Sequence, residues 1–197
     1  MFIAMKKMRK KLFAVVVMLC MFLQLMPWSA LAAPLEDGDG TSGNPYEIND
    51  VDDLIAFRDL VNSGDTDACA VLTANIDLSS KYGADIDGAE VSWEPIGDGT
   101  KQFKGTFDGG NFTISGLYIN GTNMYQGLFG YLGQGGTIQN LSVSGTVNGY
   151  FFVAGVVGTN DGGSISNCIN HCTVTGSSFV GGIVGQNTGS SNFVATL

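Results

Sequence analysis

Thr113-Ile114-Ser115-Gly116-Leu117-Tyr118-Ile119, Thr137-Ile138-Gln139-Asn140-Leu141-Ser142-Val143 and Ser164-Ile165-Ser166-Asn167-Cys168-Ile169-Asn170 are three versions of one pattern. The first overlays the second at an offset of 24 residues, and the second overlays the third at an offset of 27. A second element travels with it: Gly127-Leu128-Phe129-Gly130, Gly155-Val156-Val157-Gly158 and Gly182-Ile183-Val184-Gly185, separated by 28 and then 27 residues. A third sets Gly145-Thr146-Val147-Asn148-Gly149 against Cys172-Thr173-Val174-Thr175-Gly176. Each unit of roughly 25 residues thus holds three short apolar runs punctuated by Gly, Asn, Ser and Thr. Such a unit cannot bury its apolar face alone, and stacked copies form the coils of a β-solenoid.

Alternation along the strands sends Ile114, Leu117, Ile138, Leu141, Ile165 and Cys168 inward, with glycines at the tight corners. Cys168 falls in the column of Leu117 and Leu141 and reads as a small buried hydrophobe. His171 aligns with Ser144 and Asn120 and points outward.

Composition agrees with an all-β chain. Glycine accounts for 29 of 197 residues and charged residues for only 14%, which disfavours a helical bundle with solvated charged faces. With 9 basic and 18 acidic residues the formal charge is -9, which argues against nucleic acid or an anionic membrane as partner. Five of the basic residues, Lys6, Lys7, Arg9, Lys10 and Lys11, stand at the very start. The apolar run Leu12 to Met26 and the small-residue sequence Ser29-Ala30-Leu31-Ala32-Ala33 follow them. This is the layout of a secretory signal, residues 1–32, cut after Ala32, with no membrane insertion once it is removed. Cys69, Cys168 and Cys172 remain after cleavage, an odd number that makes no disulfide framework. Cys168, His171 and Cys172 resemble a zinc fragment but lack a fourth ligand, so no metal is assigned to them.

Residues 33–43 are acidic, glycine-rich and aperiodic, and read as a flexible leader. Residues 44–92 form an N-terminal cap. Within it the apolar spacing of Val51, Leu54, Ile55, Phe57, Leu60 and Val61 predicts a helix over 50–62, with Asn49 as its cap and Gly64 as its stop. One amphipathic helix ahead of a long β region is placed to cover an exposed end of the solenoid. A strand follows over 70–78, then a polar loop from Lys81 to Glu90. The run Asp85-Ile86-Asp87-Gly88-Ala89-Glu90 offers carboxylates to a cation such as calcium, but its spacing matches no full loop motif. Residues 93–197 are the repeats. In the last of them Asn192 stands where an apolar residue should be in register with Ile165, and the unit is incomplete, which predicts a piece of a longer protein.

Asn44-Pro45-Tyr46-Glu47-Ile48, Leu72-Thr73-Ala74-Asn75-Ile76-Asp77-Leu78, Trp93-Glu94-Pro95-Ile96-Gly97, Phe103-Lys104-Gly105-Thr106-Phe107-Asp108-Gly109 and Gly127-Leu128-Phe129-Gly130 occur in an order and spacing that resembles the GLUG-motif repeat proteins of bacteria. The resemblance runs from about Asn44 to about Gly189. It implies a right-handed parallel β-helix-like solenoid, secreted or displayed at the cell surface, often within large modular proteins. Some members are N-terminal regions of zinc metallopeptidases that cleave immunoglobulin A. The family supplies no catalytic residues to carry over.

The residues speak for the same class. From Gly109 to Leu197 the only charged residue is Asp161, so a carboxylate pair for glycoside cleavage cannot be built there. Glu94, Asp98 and Asp108 sit in turn-like glycine contexts, and neither H-E-x-x-H nor G-x-S-x-G occurs. The expectation is therefore a non-catalytic exported surface module, a stalk or adhesin-like repeat, with no cofactor. Two alternatives are an accessory N-terminal region of a larger surface metallopeptidase and a carbohydrate-active β-helix enzyme. Tyr118, Tyr125, Tyr131, Tyr150, Phe151 and Phe152 lie in or beside the repeats. Those not filling the coils would suit a host or cell-wall glycan or a protein partner. Further domains downstream in the same polypeptide are the other expected partners.

Overall fold

The computed structural model describes residue 35, residues 37–189 and the backbone of residues 193–194. The signal expected over 1–32 lies outside the described residues. The chain begins with β1 (Tyr46–Ile48), helix α1 (Val51–Ser63), β2 (Ala70–Leu72), β3 (Ile76–Asp77), β4 (Gly83–Ile86) and β5 (Ala89–Val91). Three coils of four strands follow. The first is β6 (Thr106–Asp108), β7 (Thr113–Asn120), β8 (Met124–Gln126) and β9 (Phe129–Leu132). The second is β10 (Thr137–Gln139), β11 (Ser142–Asn148), β12 (Phe151–Ala154) and β13 (Val157–Asp161). The third is β14 (Ser164–Ser166), β15 (Ile169–Thr175), β16 (Ser178–Gly181) and β17 (Val184–Thr188), after which β18 (Phe193–Val194) begins another layer. Like strands stack in parallel into sheets β1-β2-β6-β10-β14-β18, β3-β7-β11-β15, β8-β12-β16 and β9-β13-β17. This is a parallel β-solenoid with one N-terminal helix.

The six residues predicted to point inward, Ile114, Leu117, Ile138, Leu141, Ile165 and Cys168, are all buried. Their columns differ from those predicted. Ile138 stands beside Phe107 and Ile165, whereas Ile114 stands beside Val143, so the offset of 24 is not the structural one. Strands at successive positions within one coil share the same alternation, and β7 therefore resembles β10 in sequence without lying under it. Leu117 stacks on Gly145 and through it on Cys172, not on Leu141 and Cys168. The register shifts between Val143 and Gly145, where Gly116 at φ 70 bulges from β7. His171 pairs with Ser144 as predicted and is exposed, but Asn120 pairs with Asn148. The last layer is also corrected: Phe193, not Asn192, is in register with Ile165.

Each coil has four strands rather than three apolar runs, because the aromatic stretch Phe151–Ala154 is itself a strand. The strand expected over 70–78 is two strands, broken at a corner by Thr73 to Asn75. The expected loop from Lys81 to Glu90 contains a β-hairpin. Asp87 and Gly88 make its turn with φ 53 and 86, the left-handed pair that a two-residue hairpin turn requires.

The N-terminal end is closed in two ways. Helix α1 is capped by Asp50 rather than Asn49: the Asp50 carboxylate accepts from the Asp52 and Asp53 N–H groups at 2.8 and 3.0 Å. Gly64 ends it at φ 129. Leu54, Phe57 and Val61 are fully buried, and the Phe57 ring meets Phe103 and Phe107 at 6.0 and 5.7 Å. Asn62 fastens the helix to the next layer, donating to Pro95 O at 3.1 Å and accepting from Gly97 N–H at 2.8 Å. Residues 37–43, expected as a leader, are tied down. Glu47 N–H donates to Asp37 O at 3.0 Å and Cys69 N–H to Gly40 O at 2.8 Å, so this segment covers the outer edge of β1.

Candidate functional site

The repeated glycine motif is a stacking device. Phe129, Val157 and Val184 lie in register in neighbouring coils. Leu128, Phe129, Val156 and Val157 are fully buried, and Ile183 and Val184 are half-buried. A Cβ on Gly130, Gly158 or Gly185 would stand 2.3, 2.8 or 2.7 Å from the carbonyl oxygen of Gly97, Gly130 or Gly158. The second glycine of each motif therefore packs backbone on backbone against its counterpart one coil earlier, and the column starts at Gly97. The first glycine is less uniform. A Cβ on Gly127 would lie 3.0 Å from Ala154 O, and one on Gly155 would strike Asn170 Oδ1 at 1.8 Å. On Gly182 its nearest neighbour would be 3.6 Å away.

A surface feature depends on that column. Tyr125, Phe152 and Phe179 occupy the same place within β8, β12 and β16, all in the left-handed conformation at φ 63, 57 and 54. Their rings stack along the solenoid at 5.3 Å and 9° and at 5.1 Å and 29°. A Cβ on Gly158 would lie 2.8 Å from both Phe152 O and the carbonyl carbon of Tyr125, so the glycine column makes room for the bent backbone that carries the rings. Tyr131 meets Tyr125 edge-on at 5.3 Å, and its hydroxyl donates to Asp161 Oδ2 at 3.3 Å. Desolvation, with the nearby Asp161 charge, raises the Tyr131 pKa. Tyr150 meets Phe151 edge-on at 4.6 Å and is half exposed. None of the six aromatics singled out in the sequence is fully buried. The third rung, Phe179, was missed there, although its spacing of 27 residues from Phe152 is visible in the chain.

Opposite chemistry fills the corner after β6 and β10. Asp108 Oδ1 accepts from Gly110 N–H at 2.9 Å and Asn140 Nδ2 at 3.0 Å, and Oδ2 accepts from Gln139 Nε2 at 2.7 Å. Asn167 Nδ2 continues the ladder to Asn140 Oδ1 at 3.1 Å. Burial pushes the Asp108 pKa up, but these hydrogen bonds outweigh it and hold the carboxyl below its usual range. A groove of about 360 Å³ runs beside it, lined by Thr106, Gln139, Cys69 and Ser42 among others. Asp98 Oδ1 is likewise engaged, accepting from Thr100 N–H, Thr100 Oγ1 and Lys101 N–H at 2.7 Å each. The carboxylates considered for calcium hold their own surroundings: Asp85 accepts from Gly88 N–H and Glu90 from Asn120 Nδ2, both at 2.9 Å. Among the described residues no three His, Cys, Asp or Glu side chains are grouped to hold a metal.

The three cysteines of the described region are free thiols. Burial pushes Cys168 up to about 11 and Cys172 up to about 12, so neither is a thiolate at neutral pH.

No protein-family model matches the chain. It is 36% identical over 128 residues to a protein of Evansella cellulosilytica described as a Gly-rich membrane protein, covering 63% of this chain and 14% of that protein. It is 37% identical over 127 residues to halomucin of Haloquadratum walsbyi, covering 62% of this chain and 1% of halomucin. The chain thus spans a small fraction of the length of the curated relatives it matches. A crystal structure at 1.30 Å from Bacteroides ovatus, described as an immunoglobulin A1 protease, is similar at a TM-score of 0.45 and 18% identity, over 81% of this chain and 66% of that one.

Proposed function

We propose that the chain is a non-catalytic, exported surface module whose repeats form a rigid stalk or adhesin-like surface. The observation that carries this reading is the use made of polar groups along the repeats. Asp161, the only charge after Asp108, is bonded to Tyr131 and Thr188 at 3.3 and 3.2 Å, and Asp108 is saturated by three donors. Groups committed to holding corners are poor acids, bases or nucleophiles. The names of the two relatives, a Gly-rich membrane protein and a halomucin, favour a place at or outside the cell surface. No helix among the described residues is long and apolar enough to cross a membrane. The side that carries the aromatic ladder is the surface offered to a glycan or protein. Fractionating producing cells and blotting with an antibody against residues 44–189 tests the reading. Signal in surface or medium fractions is expected, and confinement to the cytoplasm would overturn it.

A further inference from the structure

The groove beside Asp108, about 360 Å³ in volume, crosses β2, β6 and β10 in the middle of the stack. Val71, Asp108 and Gln139 stand in register across these three neighbouring strands. Thr106, on the same side of β6 as Asp108, and Ser42 and Pro45, from the segment leading into β1, help to complete the lining. No aromatic ring and no lysine, arginine or histidine lines it.

The lining offers negative charge and hydrogen-bond acceptors. Burial opposes ionisation of Asp108, yet its three hydrogen bonds hold the carboxyl below the usual range, so it is charged at neutral pH. No cation answers it: among the described residues the ion pairs join Arg58 to Asp59 and Lys81 to Asp52. Gln139 gives its Nε2 to Asp108 and keeps its Oε1 to accept. The hydroxyls of Thr106 and Ser42 bond to no other described residue. Residues 37–108 hold sixteen acidic and four basic side chains, which repels an anionic ligand.

We infer that the groove binds a primary alkylammonium group, the chemistry shared by a lysine side chain and a free aliphatic amine. An ammonium has three donors and no acceptor. The groove supplies the counterpart: Gln139 Oε1, Thr106 Oγ1 and Ser42 Oγ accept, and Asp108, its oxygens already engaged, contributes its charge. Pro45 and Val71 offer aliphatic surface to the methylene stem. A sugar would find no ring to stack on. The volume lies at the small end of the range of about 300–1,000 Å³ for ligand pockets, which suits a side chain rather than a large cofactor. The inference rests on this groove and not on the proposed place outside the cell.

The test is titration of the purified, isotope-labelled chain with pentylammonium chloride, followed by two-dimensional nuclear magnetic resonance. Salt at about 0.15 M screens attraction between exposed charges beyond about 8 Å. Saturable shifts of Thr106 and of the Gln139 backbone and side-chain amides are expected. Pentyltrimethylammonium, with the same charge and no donor, and pentanol, with no charge, should each bind at least about tenfold more weakly. Asp108→Asn should cost about tenfold in affinity, and Thr106→Val, which leaves the bonds of Asp108 in place, about three- to tenfold. Asp85→Asn, at an exposed carboxylate of the β4–β5 hairpin, should leave affinity unchanged. Blocked Gly-Lys-Gly tripeptide separates the sources: affinity equal to that of pentylammonium identifies a polypeptide lysine, and affinity about tenfold lower a free amine. Shifts that spread over the acidic surface without saturating, equal binding of either control compound, or a loss in Asp85→Asn matching that in Thr106→Val would overturn the proposal.

Discussion

Gly158 shows what a single position contributes. The contact it makes is a backbone approach, and no rotamer change can relieve a Cβ placed 2.8 Å from Gly130 O and from Phe152 O. Gly158→Ala should therefore destabilise the fold by about 1–3 kcal/mol, the usual cost of overpacking. Gly121→Ala, where nothing lies within 4 Å, should change stability by no more than about 0.5 kcal/mol. Urea denaturation of the two variants checks the contrast. Asp108 makes the complementary case. Its folded pKa lies below the unfolded one, so its stabilisation is present above the ordinary carboxylate range and is lost as pH falls through the depressed value. Asp108→Asn sets an amide N–H against a donor and should cost about 1–3 kcal/mol at pH 7. It should also flatten the loss of stability on acidification, which thermal melts between neutral and acid pH would show. The glycine motif was legible in the chain as a repeat, but its role was not, because a sequence records which residue lacks a side chain and not which carbonyl lies above it. The left-handed aromatics were hidden for a related reason: only glycine and asparagine advertise that conformation, and Tyr125, Phe152 and Phe179 adopt it against their own preference.

Among the elements, α1 was legible because thirteen residues carry a full apolar face, a cap and a stop. Its bounds and cap moved by one residue, since Asn49 and Asp50 are both competent caps and only the backbone decides between them. Phe57 should dominate its contribution. Phe57→Ala is expected to cost about 3–5 kcal/mol, as for other fully buried aromatics. Asp50→Ala should cost about 1 kcal/mol. Equilibrium unfolding of both variants measures the ratio. The strands were less legible. β10 has only three residues, too few alternations to fix a register, so its likeness to the first part of the eight-residue β7 reads as a repeat although the two strands belong to different sheets. The hairpin of β4 and β5 is carried by its turn, Asp87-Gly88, and not by apolar alternation, so its strands do not stand out from the surrounding polar stretch.

At the scale of the molecule, the fold class followed from repetition itself, which needs no strand to be placed correctly. Each coil touches only the coils before and after it, so stability is a sum over neighbouring layers. The hydrogen bonds between layers run along the axis of the stack. Tension applied between the two ends consequently loads one layer at a time, like a seam opened stitch by stitch. Drawing out Thr137 to Gly163, one full layer between β10 and β14, would release about 90 Å of extended chain at about 3.3–3.6 Å per residue. A single molecule held in an optical trap should lengthen in steps of that size, and one concerted rupture would contradict this picture. A solenoid of this kind yields length under load without losing its remaining layers, so a pull that would tear a globular core apart at once is absorbed one layer at a time.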